Sequence, residues 1–309
     1  MKVRIGIQLG QWPSRETQPE AVLDLIDYFE ALEVDSIWVS DRLVSSALTL
    51  EPIAFLSYVA GRLRKMKFGT STLVLPMRNP IVLAKELATL DFLSKGRLFP
   101  AIGLGGDESK DLQAVGIDRR TRASRTDEMI VLMRRLWSEE NVTFSGKHFS
   151  LDGVTIMPRP WQKSGPPIWI GGRSEAALRR TGLLGDGWLV SSVSPGEVKH
   201  GIESIRGYAA AAGRQVPDDH YGVLIPFYFS DNADRAFEIA GRAIRPRADL
   251  STAEFTAFGT PDQVRQRVRA YIAAGASKFI MRPCGPFEGW HEQAGRLARE
   301  VIEPLQTSD

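Results

Sequence analysis

"KFGTSTLVLPMRNPIVLAKELATLDFLSKGRLFPAIGL", Lys67 to Leu104, holds two short apolar runs on either side of one longer amphipathic run. The first run, "KFGTSTLVL", is short and rich in β-branched residues, so it reads as a strand. Pro76, Arg78, Asn79 and Pro80 end it, and Pro80 suits the first turn of the helix "PIVLAKELATLDFLS" because a missing N–H costs nothing there. "RLFPAIGL" is the next strand. Strand, helix and strand on this scale form a crossover unit, which lays two strands parallel in one sheet. One feature of the first strand is out of place. Thr70, Ser71 and Thr72 set three hydroxyls where a buried strand would carry methyl groups.

The same rhythm runs outward in both directions. "VRIGIQL" is strand 1, followed by a helix that places Val22, Leu23, Ile26 and Phe29 at helical spacing. "SIWVS" is strand 2, and "EPIAFLSYVAGRL" the helix that leads into Lys67. Beyond Leu104 come the helix "RTDEMIVLMRRLW", strands "PPIWIGG", "DGWLVS", "YGVLIPFYF" and "SKFIMRP" with helices between them, and a terminal helix from about Trp290 to Leu305. Asn141 to Gly165 interrupts the pattern and turns at Gly146 and Gly153 like an inserted hairpin. Arg245 to Gly259 shows no period and is expected to be irregular, a mobile lid that excludes water. Eight strands with intervening helices and no break in composition predict one α/β domain over residues 1–309, a closed (β/α)8 TIM barrel with an inserted hairpin, in preference to an open doubly wound sheet. Barrel strands aim their carboxyl ends at the active site, so the hydroxyl cluster is expected near the mouth, facing a ligand.

Composition excludes several partners. With 309 residues, 43% hydrophobic and 25% charged, the chain has ample material for one large core, and a formal charge of +2 with scattered basic residues argues against nucleic acid. No apolar window approaches the length needed to cross a bilayer, and "MKVRIGIQLGQW" reads as a strand, not a signal peptide. Cys284 is the sole cysteine, which rules out an intrachain disulfide and fits a reducing cytoplasm; between Pro283 and Gly285 it reads as a structural thiol. The four histidines, His148, His200, His220 and His291, are isolated, so no metal site is expected.

Four motifs carry possible chemistry. "IGLGGDES", Ile102 to Ser109, has closely spaced glycines after a strand without being GxGxxG; its glycines either turn the chain or let a flat ligand approach backbone. In "IWIGGRSEAALRR", Gly171, Gly172 and Arg173 precede a helix start. Free amides, the helix dipole and a guanidinium would suit a phosphate, while the bland reading is a tight turn with a Ser174 cap. "SDRL" puts Asp41 and Arg42 at the end of strand 2, as an ion pair, a cap or a pair of site residues. "DRRTRASRTDE" gathers Arg119, Arg120, Arg122 and Arg125 near a helix start, where positive charge is unfavourable unless Asp127, Glu128, solvent or an anionic ligand offsets it. No GxSxG turn is present.

Together these segments resemble the luciferase-like flavin and deazaflavin oxidoreductases, in particular their F420-dependent branch. The resemblance is carried by "SIWVSDRL", "GTSTLVLPMRNPIVLAKELATLDFLSKGRLFPAIGLGG", "RTDEMIVLMRRLW", "PPIWIGGRSEAALRRTGLLGDGW" and "GTPDQVRQRVRAYIAAGASKFIMRP". It implies a barrel holding an isoalloxazine or deazaflavin ring at the strand mouths, with a non-proline cis peptide between Ser71 and Thr72 in a bulge that presses on the ring. Carried over by position, Asp41 lies beside the ring, Thr70, Ser71 and Thr72 line the bulge, and Gly103, Gly105 and Gly106 border it. Gly171, Gly172 and Arg173 would hold the cofactor phosphate. Many F420 enzymes have histidine after this aspartate; here Arg42 takes its place and could hold an anion or stabilise a reduced ring. Glu108, near Asp107, is the candidate acid. The implied activity is hydride transfer between coenzyme F420 and a small organic substrate, with an FMN-dependent monooxygenase and a noncatalytic flavin-binding subunit as alternatives. Relatives commonly form homodimers.

Overall fold

The computed structural model describes residues 2–9, 18–106 and 110–307. In chain order the elements are β1 (Arg4–Leu9), α1 (Pro19–Ala31), β2 (Ser36–Val39), α2 (Pro52–Arg62), β3 (Lys67–Val74), α3 (Pro80–Ser94), β4 (Leu98–Gly103), α4 (Asp111–Ala114), α5 (Arg122–Ser138), β5 (Val142–Ser145), β6 (Ser150–Val154), β7 (Trp169–Gly171), α6 (Glu175–Leu184), β8 (Gly187–Ser191), α7 (Pro195–Ala211), β9 (Tyr221–Phe229), α8 (Ala233–Ala240), α9 (Thr252–Phe255), β10 (Ala257–Gly259), α10 (Pro261–Ala273), β11 (Lys278–Pro283) and α11 (Trp290–Leu297). Strands β1, β2, β3, β4, β7, β8, β9 and β11 pair in parallel, and the β1–β11 and β8–β9 pairings close the ring. This is the expected eight-stranded barrel. The antiparallel pair β5–β6 is the inserted hairpin.

Helix starts follow local chemistry. Asn79 accepts from the backbone N–H groups of Ile81 and Val82 at 2.9 and 3.2 Å, and Pro80 occupies the first turn of α3. Ser194 and Glu197 form a capping box on α7, as do Thr260 and Gln263 on α10. The hairpin is tied to α5 by Glu128, whose carboxylate accepts from the N–H groups of Lys147, His148 and Phe149. Glu128 is therefore engaged by the hairpin, and Asp127 pairs with Arg180. Of the two carboxylates expected to offset the arginine cluster, Glu128 still favours the charge of Arg125 against its burial. Asp118 pairs with Arg120, and Arg125 donates to Pro76 O at 3.1 Å while lying 4.4 Å over the Phe149 ring.

The stretch from Arg245 to Gly259 also departs from expectation. It carries the helical turn α9 and the strand β10, which pairs in parallel with the far end of β9 through Phe258 and Tyr228. β8 pairs with β9 only as far as Leu224, and β10 takes up the β9 backbone from Phe227 onward, so extended-strand hydrogen bonding continues there. Arg247, nearly buried, fastens the preceding loop by donating to Ser192 O at 2.8 Å and pairing with Glu197 and Asp249.

The barrel interior is layered. At the amino-terminal end of the strands Arg4, Lys67 and Lys278 surround Asp35. Above them Trp38, Ala101, Trp169, Leu189 and Ile280 form an apolar plug, with Phe99 and Leu224 packed against it. Gly6 and Gly69 are required beside the plug, because a Cβ at either would lie within 3.0 Å of the Trp38 ring. The larger apolar cluster lies outside the ring, between the sheet and helices such as α1, α2, α3 and α5.

Candidate functional site

Above the plug, the inward positions become small. β3 and β4 pair Ser71 with Ala101 and then Leu73 with Ile102, so Thr72 is one extra residue in a bulge, and the Ser71–Thr72 peptide is cis where the resemblance put it. Thr72 lies between two glycines. A Cβ on Gly103 would meet its Oγ1 at 2.5 Å, and one on Gly171 its Cγ2 at 2.6 Å. Thus the mouth side of β3, β4 and β7 presents Ser71, Thr72, Gly103 and Gly171, with nothing larger than threonine. Beyond β4, Gly105 has φ +80° and Gly106 has open space where a side chain would be.

The three hydroxyls divide their duties. Thr70 is 1% exposed, and its Oγ1 donates to Ala101 O at 2.7 Å; its neighbours Gly69 and Ser71 take the inward face, so it braces β3 to β4 on the helix side. Ser71 and Thr72 are the two at the mouth. Ser71 Oγ accepts from Gln8 Nε2 at 2.8 Å.

Asp41, just after β2, is held by the end of β3. Its Oδ2 accepts from Val74 N–H at 2.9 Å and from Arg78 Nη2 at 3.0 Å. The Asp41 side chain is only 3% exposed, and Arg78 reaches on to Glu51 Oε1 at 2.8 Å. Burial raises the Asp41 pKa above the ordinary carboxylate range, against the opposing pull of Arg78 and the Val74 amide. The guanidinium that meets Asp41 is therefore Arg78, not its neighbour Arg42, which is exposed and has no side-chain partner among the described residues. Sequence reasoning noted Arg78 only as a residue that ends a strand. A charge placed between two prolines was the available signal.

At the α6 start, Ser174 Oγ caps Ala177 N–H at 3.3 Å, Gly172 has φ +116°, and Gly172 O accepts from Trp188 Nε1 at 2.8 Å. A Cβ on Gly172 would fall 2.9 Å from that of Ala177. Arg173 is exposed beside them and lowers the pKa of Asp249, though less than Arg247 does. Glu108 and Asp107 lie outside the described residues. Cys284 is 3% exposed, and burial pushes its thiol pKa up, which fits a structural group. Among the described residues, no three His, Cys, Asp or Glu side chains are grouped so that they could hold a metal ion, and no helix is long and apolar enough to cross a membrane.

A parallel eight-stranded barrel whose third strand bulges at the mouth, beside neighbours stripped to glycine, is the arrangement that the resemblance implied for a flat ring. The residues fit such a ligand at the rim, where Gly106 has open space in place of a side chain, while Thr72 fills the space beside Gly103 and Gly171. The family model described as luciferase-like monooxygenase matches residues 1–251, and the chain belongs to that family. It is 29% identical over 320 residues to an F420-dependent glucose-6-phosphate dehydrogenase of Amycolatopsis mediterranei, covering 92% of this chain and 94% of that one. A protein of the same description from Kineococcus radiotolerans is 32% identical over 195 residues, 60% of this chain and only 57% of the relative's length. The crystal structure of the monooxygenase RslO1 from Streptomyces bottropensis superimposes with a TM-score of 0.85 at 23% identity, covering 97% of this chain and 99% of that one.

Proposed function

We propose that this oxidoreductase uses coenzyme F420 to transfer a hydride to or from a small organic substrate. The observation that carries the reading is the floor of the mouth, made of Ser71, Thr72, Gly103 and Gly171 beside a bulged β3. Preference for the deazaflavin is supported by the two relatives above, both described as F420-dependent. When bound, that cofactor supplies a ring carbon that accepts or donates a hydride.

The chain's own residues supply position and charge. Ser71, Thr72, Gly103, Gly105 and Gly106 would hold the ring, and Gly171, Gly172 and Arg173 the phosphate, where the Ser174-capped helix start offers amides and a favourable dipole. Asp41, fixed by Val74 and Arg78, holds the end of the bulge and offers a carboxylate whose raised pKa suits proton exchange. Arg42, exposed at the end of β2, offers a permanent positive charge to an anionic group. The arm from Arg245 to Gly259 would exclude water over the site.

A second reading, an FMN-dependent monooxygenase, is favoured by the description of the family itself. Titration of the purified protein with F420 and with FMN, followed by fluorescence, separates the two. The expected result is saturable F420 binding at micromolar concentration and none by FMN. Binding of FMN alone would reverse the assignment.

A further inference from the structure

Gln8 lies in the wall of the mouth and was no part of the motifs that pointed there. It is on β1, 4% exposed, and its register partner on β2 is Trp38 of the interior plug. Its Nε2 is 2.8 Å from Ser71 Oγ and 3.4 Å from Ser71 O. A peptide carbonyl only accepts, so the amide nitrogen must face Ser71 and Oε1 must face away from it. There Oε1 is buried and has no hydrogen-bond donor among the described residues. A buried carbonyl without a donor is uncommon in a folded protein and asks for a partner.

We infer that Gln8 is a ligand-binding residue of this site, its Oε1 accepting a hydrogen bond from a ring N–H of the bound heterocycle while its amide nitrogen clamps the bulge through Ser71. This rests on the functional reading above. The chemistry narrows the donor. Oxidised flavin and deazaflavin rings carry a single N–H, in the pyrimidine portion between two carbonyls, and only a donor can satisfy Oε1. The clamp on Ser71 puts that acceptor beside the residue that would press on the ring. Both halves of one amide would then act together, one on the strand and one on the ligand.

The test uses the deazaflavin chromophore of F420 without its tail, and the same chromophore methylated at the ring N–H, with binding read by fluorescence and no turnover required. Wild-type protein is expected to bind the methylated form about tenfold more weakly, the size of one buried hydrogen bond. Gln8→Leu, and the near-isosteric Gln8→Met should Gln8→Leu fail to fold, are expected to bind the parent chromophore about tenfold more weakly than wild type and to lose the discrimination between the two ligands. Equal binding of both ligands by wild type, or full discrimination retained in either variant, would overturn the inference. Failure of the wild type to bind F420 or either chromophore is a different outcome, and it removes the proposed function together with this inference.

Discussion

Asp35 and Asp41 are buried carboxylates at opposite ends of one barrel strand, β2, 7% and 3% exposed in their side chains, and each meets a cation. Their pKa values nevertheless move in opposite directions. Burial favours the protonated form of both, but at Asp35 the charges of Lys278 and Lys67 outweigh it, with Arg4 also 3.5 Å away, and the pKa falls. At Asp41 burial prevails, because its one cation, Arg78, is shared with Glu51, whose own charge pushes the same way as burial. What separates the two ends is thus how much positive charge each carboxylate has to itself. The closed end sets three cations around one carboxylate and so favours its ionised form, as befits a structural plug. The mouth keeps a carboxylate whose pKa burial raises and an amide oxygen with no donor among the described residues, and there the proposed ligand would arrive.

Breaking the closed end should have the largest effect. Asp35→Asn takes its carboxylate from Lys278, whose side chain is only 12% exposed, and from the neighbouring Arg4 and Lys67. The expected cost is about 3–5 kcal/mol of unfolding free energy, read by denaturant titration at neutral pH. Adding Lys278→Met to that variant should recover much of the loss, because the stranded cation goes with its partner. A loss below about 1 kcal/mol would mean that the cluster is solvated like a surface pair.

The strands of the barrel were largely legible in advance, and the mouth network was not. Alternating apolar runs gave the eight barrel strands to within a few residues, since a strand buried on both faces must be short, apolar and punctuated. The hydroxyls of residues 70–72 pointed to the mouth, and two of the three are there; strand alternation turned Thr70 to the helix side. By contrast, Asp41 and Arg78 are 37 residues apart, and Gln8 and Ser71 63 apart. No period or motif links such pairs. They meet only because β1, β2 and β3 are neighbours whose ends share one level. β10 was missed for a related reason: three residues are too few to show a pattern, and what makes them a strand is the free edge of β9.

The glycines around Thr72 allow a finer comparison within the mouth. Gly171→Ala would press a methyl against Thr72 Cγ2 at 2.6 Å and the Ile102 carbonyl at 3.2 Å, whereas Gly103→Ala meets Thr72 Oγ1 at 2.5 Å. Each should cost about 1–3 kcal/mol by overpacking, measured by thermal or denaturant unfolding. The difference lies in the rescue. Thr72→Ser removes the γ-methyl and keeps the hydroxyl, so it should relieve Gly171→Ala in part and leave Gly103→Ala unrelieved. Equal relief of both would mean that Thr72 turns about χ1, and that the glycines are not holding its side chain in one orientation.

The smallest expected effect sharpens the contrast between the two aspartates, because it concerns the sign of a slope. Asp35 has a lowered folded pKa, so the stability it contributes is present above its unfolded value, near 3.8, and is lost as the pH falls through the folded value. Asp41 has a raised folded pKa, so between 3.8 and that higher value the folded protein binds more proton than the unfolded chain does. Stability attributable to Asp41 must therefore fall as the pH rises through this window, opposite in sense to Asp35. Unfolding curves taken from about pH 4 to 7 on the wild type and on Asp41→Asn should differ by a slope that disappears in the variant, which does not titrate there. Arg78→Met should steepen that slope, since the cation that restrains Asp41 is gone while burial remains. If Asp41→Asn instead flattened a rise of stability with pH, the folded pKa of Asp41 would be lowered and Arg78 would outweigh burial. The mouth would then favour its ionised carboxylate as the closed end does, and Asp41 would be no readier than Asp35 to exchange a proton with a bound ligand.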